Sequence, residues 1–356
     1  MGKLKKALIV LLIILVGGYF YAGYYVFGIA GSVPCAVWEG EQNNTPSNFS
    51  VPDGYEDSDS GIFVEYNVDP KPYFIPSYET VTIPSDEGAI ELSAWWMERN
   101  PKGPTVMLIH GLTSSKYSSG ILLSAGILYH EGFNILAIDM RDHGDSTCED
   151  GFYSAGQKES DDSAASLKWL VEEKGISPSN IGIYGQSLGA LTALTTPAKS
   201  NNFAAIAVHD PPVDFETLVK EEMVYQGFPP FLFYPTAHYS QIFMGVNITQ
   251  VVPATALPLG NKQPILIFNG MLDERVLAHH TDDLIKIANE NDIDVEAYRY
   301  EDMRHVQSIW VYTDEFSEAI VSFFQRNLSS WYSKFNFSEV SFQSYFLALF
   351  IALFEI

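Results

Sequence analysis

The chain has 356 residues, 47% of them apolar, which is ample for one domain with a sizeable buried core. It carries 44 acidic against 20 basic residues, a formal charge of -24, so its surface repels phosphate backbones and nucleic acid is not an expected partner. Charge alone does not choose between a salty and an acidic exterior.

Residues 1–6 include Lys3, Lys5 and Lys6, and Ala7 to Ala30 carries no charge. As a helix rising about 1.5 Å per residue, this run is long enough for a hydrocarbon core of roughly 30 Å. After Lys6 the next basic residue is Lys71, while Glu39, Glu41, Asp53, Glu56, Asp57 and Asp59 lie between. The pattern predicts a single-pass anchor over 7–30, with residues 1–6 cytoplasmic and the remainder extracytoplasmic. A cleaved signal peptide is the competing reading. Its apolar core is typically shorter, about 7–15 residues, and only Tyr21-Ala22-Gly23 and Gly28-Ile29-Ala30 weakly resemble a cleavage site. Ser-Val-Pro precedes Cys35, which does not fit a lipoprotein Leu-x-Gly-Cys arrangement.

Glycosylation sequons start at Asn43, Asn48, Asn247, Asn327 and Asn336, but such short patterns do not identify a compartment. Cys35 and Cys148 permit one disulfide outside the cytosol, and two unpaired thiols fit the sequence as well.

Residues 31–74 are expected to lead into the domain, with Gly40 to Gly61 as a solvated linker rich in Asn, Ser, Pro, Gly and acid. Thr80–Ile83 and Ile90–Met97 flank the turn Ser85-Asp86-Glu87-Gly88 and fit a hairpin. Short apolar runs then recur at Val106–Ile109, Phe133–Ile138, Ile181–Tyr184, Phe203–Val208, Ile265–Phe268 and Val295–Tyr300. Helical stretches separate several of them, from about Glu159 to Lys174 and from Leu188 onward. Strands without alternation, spaced by helices, predict an α/β fold with a mostly parallel central sheet over residues 75–327. Between about 214 and 262 the rhythm breaks into an aromatic, proline-rich insert containing Tyr225, Phe228, Phe231, Phe233, Tyr234, Tyr239 and Phe243. Lying between two core strands, it is expected to cap the site. The tail 328–356 is apolar but too short to cross a bilayer, and fits an interfacial or docked helix.

The chemistry centres on Gly185-Gln186-Ser187-Leu188-Gly189, which follows one strand candidate and opens a helix rich in Ala and Leu. Glycines on either side of Ser187 permit the cramped strand-to-helix turn that projects a nucleophilic hydroxyl. A serine needs a base, and His305, following the Val295–Tyr300 strand, is the best placed of the eight histidines. The base needs an acid to hold its tautomer. Asp273, after the Ile265–Phe268 strand, completes the order Ser187, Asp273, His305, while Asp210 is a rival after another core strand. Oxyanion donors are expected from the backbone N–H of Leu188, at the helix start, and of Leu112, after His110-Gly111.

These elements resemble the α/β-hydrolase superfamily, particularly its serine aminopeptidase-like and monoacylglycerol-lipase-like branch. Asp139-Met140-Arg141-Asp142-His143-Gly144-Asp145-Ser146 is similar to that branch's Asp-x-Arg-Gly-His-Gly-x-Ser loop, with Asp142 in place of the usual glycine. The resemblance covers roughly residues 80–325 and implies an α/β-hydrolase fold with helices on both sheet faces, an inserted cap and a Ser-His-Asp acyl-enzyme mechanism.

The aromatic insert and the anchor favour a small apolar or lipid-like carboxylic ester as substrate, beside a membrane. A serine aminopeptidase or prolyl peptidase is the enzymatic alternative, and a catalytically inactive extracellular binding domain is the alternative of another class. No cofactor is expected. Metal chemistry has little support, because no His-Glu-x-x-His motif occurs and the adjacent His279 and His280 of a helix diverge by about 100°.

Overall fold

The computed structural model describes residues 2–56 and 63–328. The expected apolar tail, beyond Leu328, and the Asn336 sequon lie outside the described residues. Among the described residues ten strands are formed: β1 (Gly54–Glu56), β2 (Phe63–Glu65), β3 (Glu79–Ser85), β4 (Ile90–Met97), β5 (Thr105–Ile109), β6 (Asn134–Ile138), β7 (Ile181–Gln186), β8 (Ala205–His209), β9 (Ile265–Gly270) and β10 (Val295–Tyr300). The helices of four or more residues are α1 (Lys3–Ala30), α2 (Ser119–His130), α3 (Glu159–Glu172), α4 (Leu188–Thr195), α5 (Phe215–Tyr225), α6 (Phe233–Phe243), α7 (Pro253–Ala256), α8 (His279–Glu290), α9 (Ser308–Val311) and α10 (Thr313–Asn327).

Eight strands make one sheet in the order β10-β9-β8-β7-β5-β6-β4-β3. β4 runs antiparallel to both β3 and β6, and the remaining pairs are parallel. The apolar runs lack alternation because both faces are covered. Met107 and Ile109 of β5 enter one core with α3, α4 and α8, while Val106 and Leu108 enter the other with α2 and α10. This is the α/β-hydrolase fold, with helical segments inserted between β8 and β9. Its parallel strands bring the loops after β5, β7, β8, β9 and β10 to one edge of the sheet.

One reading of the approach to the domain is corrected and one open alternative is resolved. The segment read as a solvated linker packs on the α/β body. Phe49 is buried against Phe74, the Ile75 N–H donates to the Pro46 carbonyl at 2.7 Å, and β1, inside the segment, pairs antiparallel with β2 just beyond it. Local polarity gave no hint of this, because the contacts are made by a few apolar residues scattered through it. Cys35 and Cys148, left open by the sequence, form a disulfide across a separation of 113 residues.

α1 is long and apolar enough to cross a membrane, by length and composition. Its first half is exposed, but its second half lies against α6. Tyr19 stacks on Phe231, Tyr24 meets Tyr239 edge-on, and Phe27 stacks on Phe152 at 4.6 Å. Gly23 is required at the crossing, since a Cβ there would come within 2.4 Å of the Pro235 Cβ. Beyond the helix, the Val33 N–H donates to the Gly151 carbonyl at 2.8 Å and the Tyr153 N–H to the Gly31 carbonyl at 2.9 Å.

Candidate active site

Ser187 sits between β7 and α4 with φ 55° and ψ -121°, a left-handed conformation costly for a residue with a Cβ. The close fit around it explains its glycine neighbour: a Cβ on Gly189 would lie 2.3 Å from the His110 carbonyl oxygen. That contact brings the turn after β5 against the start of α4, so Leu112 and Leu188 line the same cavity as Ser187 and His305. Leu188 is the first residue of α4, where a helix leaves its N–H without an intrahelical acceptor.

His305 reaches this point from the loop after β10. Its Nε2 lies 2.9 Å from Ser187 Oγ and its Nδ1 lies 2.6 Å from Asp273 Oδ2. Asp273, in the loop after β9, is buried, and its Oδ1 accepts from the backbone N–H groups of Arg275 and Val276 at 2.8 and 3.0 Å. Burial by itself would lower the His305 pKa. The charge of Asp273, its hydrogen bond and the charge of Asp210 together outweigh burial, so the imidazole is held above its ordinary value. The arrangement leaves Nε2 facing the serine hydroxyl with a carboxylate behind the ring, the geometry needed to take up a hydroxyl proton.

Asp210, the rival acid, occupies a different position. Its Oδ1 accepts from the Gly270 N–H at 2.8 Å and Asn269 Nδ2 at 3.0 Å, and its Oδ2 accepts from the Val306 N–H at 2.6 Å. One buried carboxylate thus ties together the loops that carry Asp273 and His305. Burial first, and then the charge of Asp273, pushes the Asp210 pKa up. Its bracing role depends on backbone N–H groups remote in the chain, a signal that residue type and order do not contain.

The loop after β6 is held by charge. Lys116 is buried with its Nζ 2.5 Å from Asp139 and 2.8 Å from Asp145. Arg141 meets the buried Asp162 through Nε and Nη2, at 3.0 and 2.7 Å. Asp142, standing where the resembling loop has glycine, keeps a left-handed φ of 62°. Its Oδ1 accepts from Glu149, Asp150 and Gly151 N–H groups, the last two both at 3.0 Å. Aspartate tolerates that backbone better than most residues and adds an acceptor that glycine lacks.

The other histidines stand apart from the line of Ser187, His305 and Asp273. His110 is buried, with Nδ1 2.7 Å from the Gly111 carbonyl and Nε2 accepting from the Met140 N–H, and burial lowers its pKa well below the ordinary value. His209 is lowered to about 3 by burial, with His305 adding to the effect. His279 and His280, which helical spacing predicts to diverge, converge on one carboxylate. Their Nε2 atoms lie 2.6 and 3.2 Å from the two Glu221 oxygens, because Glu221 of α5 reaches both histidines of the first turn of α8.

The cavity at Ser187 measures about 460 Å³. Its wall is mostly apolar, with Leu112, Phe215, Leu218, Val219, Met223, Phe228 and Val276, and α1 contributes Val26 and Ile29. Glu222 and Arg275 are the charged wall residues apart from His305, joined through Nε and Nη2 of the arginine at 3.1 and 3.2 Å.

Residues 123–330, more than half of the chain, match the prolyl oligopeptidase family. The fold is similar to an esterase from Pyrococcus furiosus, at TM-score 0.59 and 25% identity over 75% of this chain and 97% of that chain. It is also similar to an acylaminoacyl peptidase from Pyrococcus horikoshii, at TM-score 0.57 and 16% identity over 71% of this chain and 42% of that one. Dipeptidyl peptidase 4 from Porphyromonas gingivalis superposes at TM-score 0.52 and 18% identity, over 70% of this chain and 35% of that one. At these last identities the likeness concerns the fold. A stretch of 96 residues is 33% identical to a multifunctional-autoprocessing repeats-in-toxin protein of Vibrio cholerae, covering 25% of this chain and 2% of that protein.

Proposed function

The chain belongs to the prolyl oligopeptidase family, and from that premise we propose that it is a serine peptidase, an aminopeptidase or prolyl peptidase, acting through an acyl-enzyme on Ser187. The observation that carries the chemistry is the unbroken line from Asp273 Oδ2 through both His305 nitrogens to Ser187 Oγ. His305 accepts the hydroxyl proton as Oγ attacks the carbonyl, and the Leu112 and Leu188 N–H groups receive the developing oxyanion. His305 then protonates the leaving amine, and in the second half it draws a proton from the water that releases the acyl group. Asp273 holds Nδ1 protonated and stabilises the imidazolium that forms.

The family reverses the order of substrates expected from composition, placing the peptide bond before the apolar ester. Glu222 supplies an acid on the cavity wall of the kind that grips a substrate amine, although Arg275 engages both of its oxygens. A second reading, hydrolysis of a small apolar ester, is favoured by the aliphatic and aromatic lining of the cavity and by the likeness to the Pyrococcus furiosus esterase. In either reading α1 serves as an uncleaved anchor, supported by its exposed, uncharged first half and the basic residues before it. The segment between β8 and β9, about 214–262, serves as the cap, since Phe215, Leu218, Met223 and Phe228 wall the cavity.

Purified full-length protein in detergent, beside its Ser187→Ala variant, should be offered aminoacyl and prolyl p-nitroanilides and p-nitrophenyl esters of short and long chains. Turnover of an anilide that vanishes in the variant supports the peptidase reading. Ester turnover without anilide turnover hands the site to the second reading. Equal turnover in the variant rejects Ser187 as nucleophile.

A further inference from the structure

In a chain of net charge -24, Met223 to Asn261 contains no Asp, Glu, Lys or Arg. A water-facing surface ordinarily carries roughly a quarter or more charged residues. The stretch is not all interior: Phe231, Tyr234, Ile242 and Phe243 are each more than half exposed. Phe231 meets Tyr19 and Phe243 meets Tyr24 in the second half of α1, where Tyr21 and Tyr24 are also exposed. A contiguous apolar patch of this kind marks an interaction surface, whereas scattered apolar residues would not.

Helix geometry supplies the occupant. α1 stands clear of the body only from Lys3 to about Gly18, and Tyr19 is the first residue to stack on the cap. That free length is about 24 Å at ~1.5 Å per residue, short of a hydrocarbon core of roughly 30 Å. To carry Lys3, Lys5 and Lys6 across, the first docked turns of α1 must enter the bilayer as well. They cannot enter alone. Gly23 is seated against Pro235, its carbonyl accepts from Thr236 Oγ1 at 3.3 Å, and the Cys35–Cys148 disulfide pins the chain just beyond the helix.

We propose that Phe231, Tyr234, Ile242 and Phe243 of the cap are seated in the headgroup–acyl boundary of the bilayer that α1 enters. The cavity, with Val26 and Ile29 on its wall, then opens at the membrane surface rather than into bulk water. Aromatic side chains favour that boundary, and the absence of acid from Met223 to Asn261 spares this part of the cap repulsion from anionic headgroups. The proposal rests on the reading of α1 as an anchor, and it holds for a peptide or an ester substrate alike.

The test uses full-length protein in phosphatidylcholine vesicles with an environment-sensitive dye on one introduced cysteine, at Phe231→Cys, Ile242→Cys, Leu12→Cys or Glu131→Cys. Fluorophosphonate labelling of Ser187 confirms that each variant is folded. The expected result is a blue-shifted dye at Phe231 and Ile242, quenched most by nitroxide in the headgroup region. Leu12 should be quenched most by nitroxide deep in the acyl chain, and Glu131, at the far end of α2, by neither. Deep quenching at Leu12 with water-like dyes at both cap positions leaves the anchor standing and overturns the proposal. An unquenched Leu12 removes the anchor and the proposal together. Cap dyes that are blue-shifted yet indifferent to nitroxide would mean the face is covered by a second copy of the chain, which also overturns it. A Phe231→Glu, Ile242→Glu pair should lower turnover of a vesicle-borne substrate about tenfold relative to a soluble one of the same bond type.

Discussion

At the carboxyl ends of β7, β9 and β10 the side chains are fixed by backbone hydrogen bonds and buried charge, whereas between α1 and α6 they are held by ring contacts and close steric approach. Asp273 accepts from two backbone N–H groups and Asp210 from two more, on different loops. The α1–α6 contact rests on pairs such as Tyr19–Phe231 and Tyr24–Tyr239, together with the Gly23–Pro235 crossing. Directional bonds position atoms to a fraction of an ångström, as proton transfer requires. Ring contacts hold a surface without fixing single atoms, which suits a wall that meets substrate. On the proposed function, the two regions divide chemistry from access.

Ser187→Ala gives the largest expected effect at the sheet edge. Turnover should fall by a factor on the order of 10⁴ or more, with loss of fluorophosphonate labelling and an unchanged denaturation midpoint. Activity within tenfold of the parent would move the chemistry away from this edge.

Asp273→Asn should cost roughly 10³–10⁴ in kcat, because the ring loses the partner that orients it. Asp210→Asn should cost less turnover and more stability, about 1–3 kcal/mol, because the amide replaces one acceptor oxygen by a donor facing backbone N–H groups. The pH profile separates the two further. An imidazolium cannot accept a proton, so kcat/KM falls as pH drops through the His305 pKa. That pKa is raised, which places the acid limb above the ordinary histidine value of roughly 6.5. In Asp273→Asn the burial contribution remains while the larger of the two counter-charges is gone, so the limb should move to lower pH. An unmoved limb would assign it to another group.

Opening the Cys35–Cys148 disulfide probes the joint between the two regions. Replacement by serines should lower unfolding free energy by about 2–5 kcal/mol, read from chemical denaturation, while a soluble short substrate is still turned over. A loss of turnover equal to that of Asp273→Asn would show that the division between regions is false. The smallest effect is expected from Gly23→Val, where overpacking against Pro235 costs typically about 1–3 kcal/mol. Steady-state kinetics should show KM for bulky apolar substrates rising several-fold with kcat unchanged, since Val26 and Ile29 are displaced from the cavity wall while Ser187 is not.

What was legible beforehand divides along the same line. Ser187 and His305 each follow a short apolar strand, so residue type, chain order and strand position mark them as candidates, while Asp273 and Asp210 share those signals and stay rivals. The sheet was equally legible, because strands buried on both faces are written as uninterrupted apolar runs such as Val106–Ile109 and Ile265–Phe268. Asp210 stood out as an acid, but its task did not, since its partners are the Gly270 and Val306 N–H groups, and every residue but proline has one. The pairing of Cys35 with Cys148, the convergence of His279 and His280 on Glu221, and the packing of Phe49 on Phe74 all require a distance that spacing does not encode.

The sequence by itself determined the periodic elements, the strained turn at Ser187 and the uncharged stretches of α1 and of the insert between β8 and β9, because these are properties of neighbouring residues. Only the tertiary structure decided that Asp273 rather than Asp210 faces His305, and that the two uncharged stretches form one surface beside the cavity. Both outcomes turn on which loops and helices come within hydrogen-bond or van der Waals reach once the sheet has closed its two cores.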